Sequence, residues 1–332
     1  MPENVISPAS RVQRSIFDFE FMSAVIEKKE AEIAGENTRI AALLPLLREI
    51  ANLKRIRAAH LDDSFAAQLF KSAWSAIAAG AAAQKVALDI TGRAISGSVF
   101  GAIDENVLKS AGVPDSAIGD MLRRSLETAG KSVDAELLTA IIDASGYAAS
   151  EFSAPRFVEL LIRQPRSGAT KTGMPKLIFD HPENHAEHSI IVGVYAVLLA
   201  PIYDAEIETV FFAALAHHFH NAYLPDSGFA GEEALGAHLA PIFDAFRRKC
   251  LAEIPENLHS KIRNALQIIE TAETAEAQAF HAADVLDRVL QMRHHAEVNE
   301  FTLRYAMEEA ELVHAGAVQE FHYRVLRAAE LI

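Results

Sequence analysis

The sequence predicts an all-α protein. Apolar residues recur at helical spacing along most of the chain, as in Ile40, Leu43, Leu44, Leu47 and Ile50. No stretch alternates apolar and polar residues convincingly over the length of a strand. Gly, Pro and Asp, which stop and restart helices, stand between the helical stretches. The 332 residues suffice for about two domains of roughly 150 residues each. Hydrophobic residues make up 50% and charged residues 23%, which excludes a disordered or fibrous chain.

In chain order, helices are expected over 17–34 and 38–60 from their apolar stripes. Residues 64–88 read as one small-residue helix around Trp74, and 92–101, with Gly92, Gly97 and Gly101, as a turn region. Helices resume at 106–111, 116–129 and 134–144, with Asp115 and Asp134 placed to start the last two. The short run 157–162 fits a strand or a helix. Residues 163–182, RQPRSGATKTGMPKLIFDHP, read as a linker, with its cations Arg163, Arg166, Lys171 and Lys176 in solvent. Helices follow at 187–199, 207–220, 232–251, 256–272, 275–294 and 301–332. The division expected is therefore a helical N-terminal domain of unknown role (1–162), a linker (163–182) and a second helical domain (183–332).

The net charge is −14, so nucleic acid is not expected as a main partner, and neither is a membrane. A small anionic substrate remains compatible, since one basic pocket suffices to hold it. Cys250 is the single cysteine, which removes any intrachain disulfide and fits a reducing, cytoplasmic setting. The longest apolar run, 190–203, has 14 residues against the roughly 20 that span a bilayer. The polar start, 1–14, is unlike a signal peptide. No GxSxG, P-loop or dinucleotide fingerprint occurs.

Histidine is distributed unevenly: 13 of 14 lie at or beyond His181. His188 opens the helix HSIIVGVYAVLLA, and His217-His218 close the helix ETVFFAALAHH, 29 residues on. Pro225-Asp226 follow, and Asp284 lies inside FHAADVLDRVL. Imidazoles and a carboxylate brought together from three helices form a metal site suited to Fe, Mn, Co, Ni or Zn rather than Ca. This ordered set resembles the HD-domain superfamily, the metal-dependent phosphohydrolase fold. The resemblance implies an HD-like helical bundle, preceded here by a separate helical N-terminal region. It also implies a metal held by His188, His217 and Asp284, helped by His218 or Glu232.

The chain departs from the family pattern at the His-Asp pair, where His218 replaces the aspartate that bridges two ions. Glu232, before Gly236-Ala237, stands where many two-metal members carry a further histidine. One tightly held divalent transition metal is therefore expected, with a second, weaker one allowed. Asp226 or Glu233 is expected as general base, and Arg288, four residues after Asp284, as phosphate ligand. His185, His220, Asn221 and His281 are secondary candidates. His220 and Asn221 read equally as caps of a helix end. His294, His295, His314 and His322 read as solvated surface.

The leading expectation is a hydrolase of a phosphate ester, nucleotides included. The alternatives are an HD-type iron oxygenase and a catalytically inactive regulatory or interaction protein. The alanine-rich N-terminal helices offer a homodimer interface, a sensor pocket or a lid.

Overall fold

The computed structural model describes residues 33–146, 153–168, 182–298, 302–309 and 311–332. Most of the helix expected over 17–34, the polar start 1–14 and the linker residues Lys171, Lys176 and His181 lie outside them. Among the described residues there are fourteen α-helices and no strand.

Helix α1 covers 33–51 and buries the expected stripe Ile40, Leu43, Leu44, Leu47 and Ile50. A short 3₁₀ turn, Asn52–Lys54, ends it. Ser64 caps α2 (Phe65–Ala78) by accepting from the Ala67 N–H at 3.1 Å. The helix expected over 64–88 is thus two helices. Gly80, at φ +94°, makes the turn into α3 (Ala83–Phe100) with a backbone conformation that an L side chain resists.

The turn expected over 92–101 lies inside α3. Its glycines permit close packing rather than breaking the helix. A Cβ on Gly97 would stand 2.5 Å from the Phe65 ring, and one on Gly92 would stand 3.0 Å from Ile141. The helices α4 (Glu105–Ser110), α5 (Asp115–Ala129) and α6 (Ala135–Asp143) follow as expected. Asp134 caps α6, whereas the cap of α5 is Pro114 and Asp115 is its first residue. The ambiguous run 157–162 is helical, within α7 (Arg156–Arg163).

The centre of the molecule is α8 (His185–Tyr203), buried on nearly every side by α9 (Ile207–Ala216), α13 (Ala275–Val298) and α2. Its 19 residues are long and apolar enough to cross a membrane, but 89% of the apolar window is inside the protein. The rings of Trp74, Phe157 and Phe219 meet at 4.8–5.4 Å between centroids, joining α2, α7 and the turn after α9. One apolar core runs from Ile40 to Leu331, so the two parts of the chain share it.

Two further expected helices are broken. The stretch 232–251 contains the end of α10 (Gly228–Leu235), a 3₁₀ turn and α11 (Leu239–Leu251). After α12 (His259–Ile268) and α13, the described part of 301–332 holds a π turn (Tyr305–Glu309) and α14 (Gln319–Ala328). Glu311, at φ +50°, lies in that break.

Candidate metal centre

Asn184 begins α8 with a capping box: its side chain accepts from the Glu187 N–H, and Glu187 accepts from the Asn184 N–H. This fixes the first turn, which carries His185 and His188. His217 is the C-cap of α9, and Asp284 and Asp287 lie one turn apart on α13.

Hydrogen bonds at Nδ1 set the tautomers. His188 Nδ1 is 2.7 Å from Asp287 Oδ2, and His217 Nδ1 is 2.6 Å from the Ala214 carbonyl. Carboxylate and carbonyl oxygens accept, so each Nδ1 carries the proton and each Nε2 keeps its lone pair. Both Nε2 atoms are buried without a hydrogen-bond partner. Asp284 Oδ1 lies 3.2 Å from His188 Nε2. The rings of His188, His217 and His218 are mutually 4.1–5.2 Å apart, and their ligand nitrogens all lie within 4.8 Å of one another.

The electrostatics suit ligation. Burial, then neighbouring imidazoles, push the pKa of His217 and His218 well below the ordinary histidine range, so both are neutral. Burial alone would raise the Asp284 pKa, but the Arg288 guanidinium, 3.5 Å away, counters it and favours the ionised carboxyl. Orphaned imidazole lone pairs facing one anionic carboxylate are the donor set of a divalent transition metal. The residues present therefore fit such an ion. A second grouping, Glu183, His188 and Asp287, is already spanned by a cation, the Lys54 ammonium.

Beside these ligands lies a cavity of about 280 Å³. His185, His217, His218, Asn221, Asp226, Glu232, Asp284 and Arg288 all line it. Residues 158–322 match the family described as the HD domain. This segment belongs to the HD-domain superfamily. Comparisons with curated proteins and with solved structures found no match. HD domains bind divalent metals, and the superfamily is that of metal-dependent phosphohydrolases.

Within this HD domain the other candidates have distinct places. Asp226 accepts from the N–H groups of Ser167 (3.0 Å) and Gly228 (2.8 Å), with His185 Nε2 at 3.5 Å. Burial opposes its ionisation, but His185 and those N–H groups hold its pKa below the usual carboxylate range. Glu232 is the opposite case: burial, then the Asp226 charge, raise its pKa. Glu233 is exposed and off the cavity wall, because successive helical residues point about 100° apart; its expected role as base is corrected.

Among the secondary candidates, His185 is buried, its Nε2 faces Asp226 at 3.5 Å, and its ring is 4.6 Å from that of His218. Asn221 accepts from His218 Nδ1 at 3.0 Å and so orients that ring. His220 does not line the cavity. It stacks on Phe243 at 3.7 Å, and burial lowers its pKa to about 3. His281 Nε2 bonds to the Thr271 carbonyl at 3.0 Å, away from the cavity wall. Both are packing residues rather than ligands.

Several residues of the HD domain were misread. Arg166, expected in a solvated linker, lines the cavity and binds Glu183 at 2.8 Å. His314, expected at the surface, also lines the cavity and stacks on Phe229. His295 and His322 are buried, at 3% and 5% exposure. Lys54 and Asp287, which support His188, are not among the expected site residues. Asp287 had a sequence signal, one turn after Asp284 on the same face. Lys54 had none.

Proposed function

We propose that this HD domain hydrolyses a small phosphate ester, with nucleotides within the class, using one tightly held transition metal of the Fe, Mn, Co, Ni or Zn group. The observation that carries the reading is the convergence of two buried, unpartnered Nε2 atoms, those of His188 and His217, with Asp284, where His217 and Asp284 line a cavity that also carries two arginines.

His188, His217 and Asp284 would hold the ion, with His218 as fourth donor. The chemistry supplied by such an ion is polarisation of a phosphoryl oxygen and acidification of a water molecule. The protein's own residues do the rest. Arg166 and Arg288 bind the substrate anion, each already anchored, Arg166 by Glu183 and Arg288 by the Leu312 carbonyl and Asp284. Anchored guanidiniums present fixed donors to phosphate. Glu232, on the cavity wall and with its pKa raised by burial, is the general base. Asp226, its oxygens bound to two N–H groups, holds the loop and His185 rather than taking a proton. The acidic chain makes a small ester a better substrate than nucleic acid.

The test is phosphate release from a panel of phosphate monoesters, nucleoside monophosphates included, by protein loaded with Mn²⁺ or Co²⁺. Hydrolysis of at least one ester, lost on chelation and in His217→Ala, is expected. A metal-loaded protein that releases no phosphate across the panel would support the regulatory alternative instead.

A further inference from the structure

We propose that Lys54, from the helices that precede the HD domain, is a positioning residue for the metal centre, acting through Asp287 on His188. The inference rests on His188 being a metal ligand.

Lys54 ends the first described helical stretch and lies outside the matched segment 158–322. Its side chain is 2% exposed. The ammonium makes three short contacts: 2.6 and 2.8 Å to the two Asp287 oxygens and 2.6 Å to Glu183 Oε2. Three donors are all that an ammonium has, so none is spare. Asp287 is fully buried, and its Oδ2 is the atom that accepts from His188 Nδ1. Glu183 also binds Arg166, on the cavity wall. The result is one continuous chain of contacts: Arg166, Glu183, Lys54, Asp287, His188.

Two carboxylates and two cations close this chain at zero net charge. A buried carboxylate stays ionised and in place only when paired and hydrogen-bonded. Lys54 supplies that pairing for Asp287, so it keeps the acceptor that fixes the His188 ring and its Nδ1–H tautomer. Carboxylates behind metal-bound histidines commonly set ligand orientation, and their loss weakens metal binding about 10–100-fold. Here the support extends one residue further, into a part of the chain outside the matched segment 158–322. Without Lys54 the buried Asp287 loses its cation while Glu183 keeps only Arg166, and water or a shifted side chain must intervene beside Asp287.

The experiment is Co²⁺ binding to the full-length chain, followed by calorimetry and by the visible absorption of the bound ion. Wild type, Lys54→Met, Asp287→Asn, the double variant and His217→Ala are compared. Lys54→Met is expected to bind Co²⁺ about 10–100-fold more weakly, with a changed spectrum. The double variant should be no weaker than Asp287→Asn alone, since both substitutions break one path. Cobalt affinity and spectrum unchanged in Lys54→Met would overturn the proposal and leave the metal site standing. If Lys54→Met does not fold, the double variant, which buries no unpaired charge, decides: additive losses relative to Asp287→Asn would overturn the proposal. Wild type that binds no Co²⁺, or His217→Ala that binds it normally, would overturn the metal site and this inference together.

Discussion

On the proposed reading His218 stands in place of a bridging aspartate; its Nδ1 is committed to Asn221, so it offers one neutral donor. Such a residue can complete one metal site but cannot join two ions or offset their repulsion. His218→Asp should therefore raise bound metal from about one per chain toward two when metal is in excess, as measured by elemental analysis. A wild type already holding two tightly bound ions would show that His185 or Glu232 completes a second site. Glu232 yields a second prediction. A base works deprotonated, and burial raises this carboxyl, so the rate should climb with pH through a raised pKa. Glu232→Gln should remove that limb and lower kcat by about 10²–10⁴-fold, while Glu233→Gln should leave both unchanged. His188, His217 and Asp284 were legible in sequence because each sits at a fixed place on its own helix. Arg166 was not, because a basic residue among Gly and Ser looks solvated until its partner Glu183 is seen beside it.

At the scale of elements, α3 and α8 mark the two extremes of legibility. The continuous apolar run of α8 is local, and the structure contains it as read; the capping box of Asn184 and Glu187 starts the helix at His185, two residues before the expected 187. Helix α3 was misread as a turn because its glycines serve a long-range purpose, the close approach of Phe65 and Ile141. Sequence gives a glycine its local meaning only. The consequence is measurable. Gly97→Ala puts a Cβ 2.5 Å from the Phe65 ring and should destabilise the protein by about 1–3 kcal/mol in urea unfolding. Gly119, exposed on α5 with nothing within 4 Å of its would-be Cβ, is the control. Gly119→Ala should stabilise by about 0.5–1 kcal/mol through helix propensity alone. Equal effects of the two substitutions would contradict the packing account of α3. The broken C-terminal stretch 301–332 was missed for a related reason: its apolar residues keep a helical period, yet tertiary packing divides them.

For the whole molecule, the buried histidines and carboxylates set how stability depends on pH. The pKa values of His217 and His218 are well below the ordinary value, and those of His295 and His322 are about 4. Unfolding returns each to about 6.5, so the unfolded chain binds more protons below that pH. Stability from these groups is present above about pH 6.5 and is lost as pH falls. Glu183 and Asp284, whose pKa values are depressed by cationic partners, add a further loss below about pH 4.5. The urea midpoint of metal-free protein should therefore drop between pH 7.5 and 5.5; a flat or rising midpoint would contradict the neutral, buried state of these rings. The shared core has no signature in sequence, since contacts such as Lys54 to Asp287 join residues far apart in the chain. The most direct test of the account is the metal content of the full chain purified without added metal, wild type beside His217→Ala. About one transition metal per chain is predicted in the wild type, and none in the variant, with helicity retained in both. Stoichiometric metal in His217→Ala, or a wild type that stays empty when metal is supplied, would contradict the central claim.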